Sequence, residues 1–191
     1  MITAFSLLKK LTIRLGTVIL FLFDFSYKNE YNIIMGVNVI KLYLETTIFN
    51  YYFDTERAGH ADTVNLFEEI RQGKHKAYTS GYSLDELGDA PEPKRSKMLA
   101  LIDEHISILP ITDESNQLAN RYVSEKIIPA RFRLDGAHIA IASIHGLDYV
   151  LSYNFQHINR AKTKLLTGRI NNELGYTTVL ICTAKEVLED E

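Results

Sequence analysis

The sequence predicts an α/β domain: a mainly parallel central sheet with helices on both faces. Three observations lead there. From residue 37 onward, short β-branched or apolar runs alternate with stretches of helical spacing. The composition is that of a globular chain, 46% hydrophobic and 24% charged over 191 residues, which excludes a disordered, collagen-like or polytopic membrane chain. Cys182 is the one cysteine, so neither an intrachain disulfide nor a cysteine-based zinc site can hold the fold. An apolar core must do so, and a chain of this size buries roughly 70% of its unfolded surface. A single cysteine also fits a reducing, cytoplasmic setting.

Residues 1–36 are read as an N-terminal extension and 37–191 as the domain. In the extension, Lys9, Lys10 and Arg14 precede the uncharged run LGTVILFLF, which Asp24 ends. Nine residues cannot span a hydrocarbon core that needs about 20 in a helix. The basic start and apolar run imitate a secretory signal, but Asp24, Phe25, Ser26 and Tyr27 make a poor cleavage site. An added amphipathic helix is one alternative. We expect instead a start placed too early, with Met35 the true one, because a strand-like run follows it directly. No membrane association is expected.

Residues 37–44 (VNVIKLYL) read as a buried strand, and residues 48–53 as a short aromatic helix. Residues 60–71 place Val64, Phe67 and Ile70 at helical spacing, and Gly73 stops them. A second strand is expected at 75–79 and a short helix at 80–88, with Pro91 and Pro93 marking a loop. A helix at 94–104 and a third strand at 105–109 follow, ended by Pro110. Thr112 is an N-cap signal for a helix at 112–126, which Pro129 breaks. Residues 134–145 give the strongest helical pattern, with Ala137, Ile141 and Ile144 on one face and Gly146 closing it. Residues 149–152 and 178–182 read as strands, 155–167 as mixed and partly helical, and 184–191 as a last helix.

The acids fall in telling places. Glu45 follows the first strand, Glu86 lies shortly after the second, Asp135 opens the strongest helix, and Asn154 lies just past the fourth strand. Open parallel sheets bind ligands at the carboxyl ends of their strands. Three acids and an amide gathered there form a site for a hard cation such as Mg²⁺ or Mn²⁺. Each residue alone is equally well read as a capping or solvated group.

The segments LYLETTIFNYYF (42–53), TSGYSLDELGDAPEP (79–93), LDGAHIAIASIHGLDYVLSYNFQHINRAK (134–162) and LGYTTVLICTAKEVLED (174–190) occur in order over the whole domain. Together they resemble the PIN domain, and more narrowly the PIN proteins related to VapC toxins. The resemblance implies a three-layer, Rossmann-like fold and a metal-dependent ribonuclease using Mg²⁺ or Mn²⁺. It places the family's catalytic positions on Glu45, Glu86, Asp135 and Asn154, with Glu45, Asp135 and Glu86 as metal ligands. Thr46 and Thr47 match the small polar residues after the first acid, and His138 and His157 also occur in the narrower pattern. Two departures stand out. Glu45 replaces the usual Asp, and Asn154 replaces an acid, which removes a charge. The resemblance further implies a homodimer and a small antitoxin partner whose tail enters the site.

On this reading a water attacks an RNA phosphate in line, leaving a 5′-phosphate and a 3′-hydroxyl. Glu86 or Asp135 positions or deprotonates that water. Thr47 contacts a water or phosphate oxygen, and Asn154 orients a ligand. Arg131, Arg133, Arg160 and Lys162 lie near these segments and are candidates for phosphate contacts. The net charge of −3 gives no global basic field, so nucleic-acid contact must come from such local patches. His138 and His157 are read as histidines that support the site rather than ligate. Phe49, Tyr51, Tyr52 and Phe53 are read as core and dimer-face residues rather than an RNA-stacking platform. The runner-up function is a PIN-like module that binds RNA or a protein partner without catalysis. A phosphatase is disfavoured because Thr47 stands where its second Asp is needed. No dinucleotide or P-loop glycine pattern and no G-x-S-x-G elbow occurs.

Overall fold

The computed structural model describes residues 39–189. The expectations for residues 1–36, and the proposed domain boundary, lie outside them. Five strands alternate with helices: β1 (Lys41–Leu44), α1 (Thr46–Phe53), α2 (His60–Arg71), β2 (Lys76–Ser80), α3 (Gly81–Gly88), α4 (Lys94–Leu99), β3 (Ile106–Leu109), α5 (Asp113–Ser124), a 3₁₀ turn (Ala130–Phe132), α6 (Arg133–Ile144), β4 (Tyr149–Leu151), α7 (Ala161–Leu174), β5 (Leu180–Cys182) and α8 (Ala184–Glu189). The sheet order is β3-β2-β1-β4-β5, and every pairing is parallel. This is the expected three-layer α/β architecture.

Side chains alternate across a strand, so each strand feeds two cores. Leu42, Leu44, Leu151 and Cys182 face one layer, where Ile48, Phe49, Leu66, Phe67 and Leu87 meet them from α1, α2 and α3. Tyr43, Val150 and Ile181 face the other, with Leu118, Tyr122, Ile139, Ala140 and Ile170 of α5, α6 and α7. Phe49, Tyr51, Tyr52 and Phe53 all pack into the first layer, in line with their core reading.

Several boundaries differ from those expected. β1 begins at Lys41 rather than 37, and α1 begins at Thr46, because Glu45 already has the extended backbone of an N-cap. α4 stops at Leu99. The mixed stretch 155–167 divides into a loop and α7, which runs on to Leu174. There Gly175 takes φ 78°, and its neighbour Tyr176 donates back to the Asn171 carbonyl, a glycine-closed helix end. α6 is not one-faced: residues 136–143 are all buried. A helix apolar all round belongs inside a molecule. It comes close to α5 because Gly136 has no side chain; a Cβ there would lie 3.2 Å from Ile128 Cδ1. Among the described residues, no helix is long and apolar enough to cross a membrane.

Candidate metal centre

The strand order reverses at β1, whose neighbours are β2 on one side and β4 on the other. Ligand crevices in parallel sheets open at such a reversal, beyond the carboxyl ends of the strands. Glu45 leaves β1 at that crevice, and its N–H still donates to the Leu151 carbonyl of β4 at 3.2 Å. Its side chain is 4% exposed. Glu45 Oε2 accepts hydrogen bonds from Thr47 Oγ1 at 2.5 Å and Ser152 Oγ at 2.9 Å. Burial raises the Glu45 pKa despite the nearby charge of His138 and those two hydroxyls.

Glu86, on α3, accepts a hydrogen bond from Thr46 Oγ1. Burial alone would raise its pKa, but His138 and Thr46 together outweigh burial and hold it below the ordinary value. His138 is fully buried beneath the acids. Its Nδ1 lies 2.8 Å from Tyr43 Oη, which in turn lies 2.7 Å from Ser80 Oγ. Its Nε2 lies 3.4 Å from Glu86 Oε2, a charge contact without hydrogen-bond geometry. Burial opposes protonation of this ring, yet Tyr43, Glu86 and Glu45 carry its pKa well above the usual histidine value. An imidazolium donates from both nitrogens; Tyr43 Oη is placed to accept from Nδ1, while Glu86 faces Nε2 through charge alone.

Ligand atoms of Glu45, Glu86 and His138 all lie within 4.8 Å of one another. Asp135 stands one helical turn before His138 on α6. Its Oδ2 is buried without a hydrogen-bond partner. Burial raises its pKa to about 6, with His138 lowering it, Glu86 raising it further and Asn154 lowering it slightly. Asn154 Nδ2 donates to Asp135 Oδ1 at 3.2 Å, while Asn154 Oδ1 accepts from the His157 N–H at 3.1 Å. That pair of bonds fixes the amide: its oxygen faces the backbone, so Asn154 orients Asp135 rather than offering a ligand oxygen.

Glu45, Glu86, Asp135 and Asn154 therefore lie in one neighbourhood, drawn from four segments of the chain. The donor set fits a hard divalent cation: Glu45 and Glu86 cluster with His138, and Asp135 adds a carboxylate beside them whose Oδ2 has no hydrogen-bond partner among the described residues. Two expectations are corrected. Thr47 gives its hydroxyl proton to Glu45 and accepts from the Tyr153 N–H at 2.8 Å, so it has no proton left for a phosphate. Arg133 donates to Asn116 and Asn120 of α5, at 2.7 and 2.5 Å, and braces α6 instead of facing substrate. His157 stacks on Phe132 at 3.8 Å. Sequence reasoning missed Ser152, Tyr43 and Ser80. Ser152 is recognisable only through the β1–β4 register, which sets Leu151 opposite Leu44.

No protein-family model matches the chain, and no curated protein matches it. Several solved structures are similar, among them the following two. The VapC20 toxin of Mycobacterium tuberculosis, which cleaves the sarcin–ricin loop, is 11% identical over 72% of this chain and 98% of its own, with a TM-score of 0.44. VapBC2 of Rickettsia felis, bound to a DNA fragment from its promoter, is 12% identical over 74% of this chain and 97% of its own, with a TM-score of 0.48.

Proposed function

We propose that this chain is a divalent-metal-dependent endoribonuclease of the PIN type, acting as a VapC-like toxin in the cytoplasm. The observation that supports this reading is the gathering of Glu45 and Glu86 around His138 at the sheet's switch point, with Asp135 one helical turn from His138, within reach of the Glu86 charge, and its Oδ2 buried and, among the described residues, unpaired. Glu45, Glu86 and Asp135 would hold Mg²⁺ or Mn²⁺. Such an ion lowers the pKa of a nearby water and offsets the negative charge that builds on a phosphoryl group.

The chain's own residues supply the rest. Thr46 fixes the Glu86 carboxylate, and Thr47 with Ser152 fixes that of Glu45. Asn154 holds Asp135 with Oδ2 left free. Glu86 or Asp135, the latter with its Oδ2 free of other partners among the described residues, would position the attacking water or take its proton. Attack on phosphorus in line with the 3′-oxygen breaks the P–O3′ bond and leaves a 5′-phosphate. Arg131 and Arg160 flank His157 and would contact RNA phosphates. A homodimer and a small antitoxin partner complete the proposal.

The test is cleavage of structured and unstructured RNA by the purified chain with Mg²⁺ or Mn²⁺. Activity should vanish in EDTA and in Asp135→Asn; cleavage that persists in either refutes the mechanism. A second reading, a PIN-like module that binds without cutting, draws on His138, whose buried positive charge already balances the acids. A non-catalytic module would show little stabilisation by Mg²⁺, whereas a working site gains by mass action.

A further inference from the structure

A cavity of about 470 Å³ opens between the end of α5 and the start of α7, and Arg160 in its lining ends the loop that carries Asn154. Its size is that of a small-molecule pocket, roughly 300–1,000 Å³. Ile127, Pro129 and Ala130 give it apolar walls, and Lys126, Arg160 and Lys162 supply its charge. Among the described residues, none of those lining it is acidic. The adjacent Glu125 is paired with Arg121 at 2.8 Å.

The cations are placed by the backbone. Lys126 has φ 56°, in the left-handed region that side chains rarely adopt. Its carbonyl accepts from Lys162 Nζ at 3.1 Å, which ties α7 to the end of α5 across the pocket. Arg160 sits at the N-cap of α7 with no side-chain cap bond and anchors to the Gln156 carbonyl at 3.2 Å. The positive end of a helix of 14 residues thus adds to three cations. The link to the acids is short. Asn154, which orients Asp135, accepts from the His157 N–H, and the His157 ring stacks on Phe132, next to Arg131.

Resting on the ribonuclease reading, we propose that this pocket seats one nucleotide of the RNA strand beside the scissile phosphate, its base against Ile127, Pro129 and Ala130 and its phosphate on Arg160, Lys162 and Lys126. An apolar wall with a cationic rim matches the two halves of a nucleotide: a flat, sequence-tolerant base and a doubly accepting phosphate. The pocket therefore acts as a strand-binding subsite separate from the catalytic acids.

The experiment measures binding without catalysis. A fluorescent RNA hexanucleotide, kept intact because EDTA removes the ion that cleavage requires, is titrated by fluorescence anisotropy at several salt concentrations. Arg160→Ala with Lys162→Ala should weaken binding about tenfold and make the salt slope shallower by about 0.7, the value for one single-strand phosphate. Ala130→Trp, at an exposed wall position, should weaken binding about fivefold with the slope unchanged. Arg95→Ala, on α4 of the opposite layer, should change nothing. Unchanged affinity in both pocket variants overturns the proposal, as does displacement of the RNA by a hexaglutamate peptide at equal concentration. Cleavage of natural RNA by the unmodified chain is measured in parallel. Cutting with unaltered pocket variants defeats the pocket alone; pocket-dependent binding without cutting defeats the nuclease reading alone.

Discussion

Replacing Asp135 with Asn should make the metal-free protein more stable at neutral pH, and insensitive to metal. Burial raises the Asp135 pKa from 3.8 to about 6. An acid whose pKa rises on folding binds its proton more tightly in the native state. Its contribution therefore favours the fold below pH 3.8 and is lost as the pH climbs through about 6. The shift corresponds to about 3 kcal/mol at neutral pH. Asp135 is only half-buried, and solvent screening brings the expected figure down to about 1–2 kcal/mol. Asn keeps the shape and the acceptor for Asn154 but carries no charge. Without metal at pH 7.5, Asp135→Asn should melt about 3–6 °C above the wild type, and the gap should narrow toward pH 5. Saturating Mg²⁺ should reverse the order: a hundredfold excess over Kd adds about 2.7 kcal/mol to the wild type and nothing to the variant. Differential scanning calorimetry at both pH values, with and without 10 mM Mg²⁺ (about that concentration suffices for a weak site), reads all four cases. A variant that melts lower than wild type in EDTA at pH 7.5, or one that gains as much from Mg²⁺, would refute the reasoning.

Three further outcomes follow from the same geometry. His138→Gln removes the positive charge facing Glu86 and Glu45, and should tighten Mg²⁺ binding by about tenfold in isothermal titration calorimetry; weaker binding would instead make the ring a ligand. Glu45→Ala leaves the Ser152 and Thr47 hydroxyls and the His138 charge without their partner, and should cost about 2–4 kcal/mol in urea unfolding. Gly59→Ala drives a methyl to 2.6 Å from the Tyr153 ring, which is stacked on Tyr51 and cannot swing clear. It should cost about 1–3 kcal/mol and, by shifting the residue before Asn154, lower RNA cleavage more than RNA binding.

Much of this architecture is legible in the sequence because it rests on local signals. Short β-branched runs gave the strands, and Thr112, read as the cap of α5, caps it in a reciprocal pair with Ser115. α7 itself escaped because its pattern is not apolar. Thr163, Thr167 and Asn171 are buried and satisfy one another's surroundings: Thr167 bonds the Thr163 carbonyl, and Asn171 takes the Tyr122 hydroxyl proton and donates to Ser143. Tertiary hydrogen bonding stands there in place of hydrophobic periodicity. In the site, acids at strand ends could be read directly, because chain position fixes them. Ser152 and Tyr43 could not, since both depend on which strands pair and in what register. The bracing role of Arg133 was equally hidden, because Asn116 and Asn120 reach it only after α5 and α6 have docked.

The histidine beneath the acids has a practical corollary. A proton on that ring would offset part of the carboxylates' charge, so chelator-treated preparations should stay folded. On the ribonuclease reading, availability of the ion would then govern when the crevice is armed, and leave untouched whether the chain folds at all.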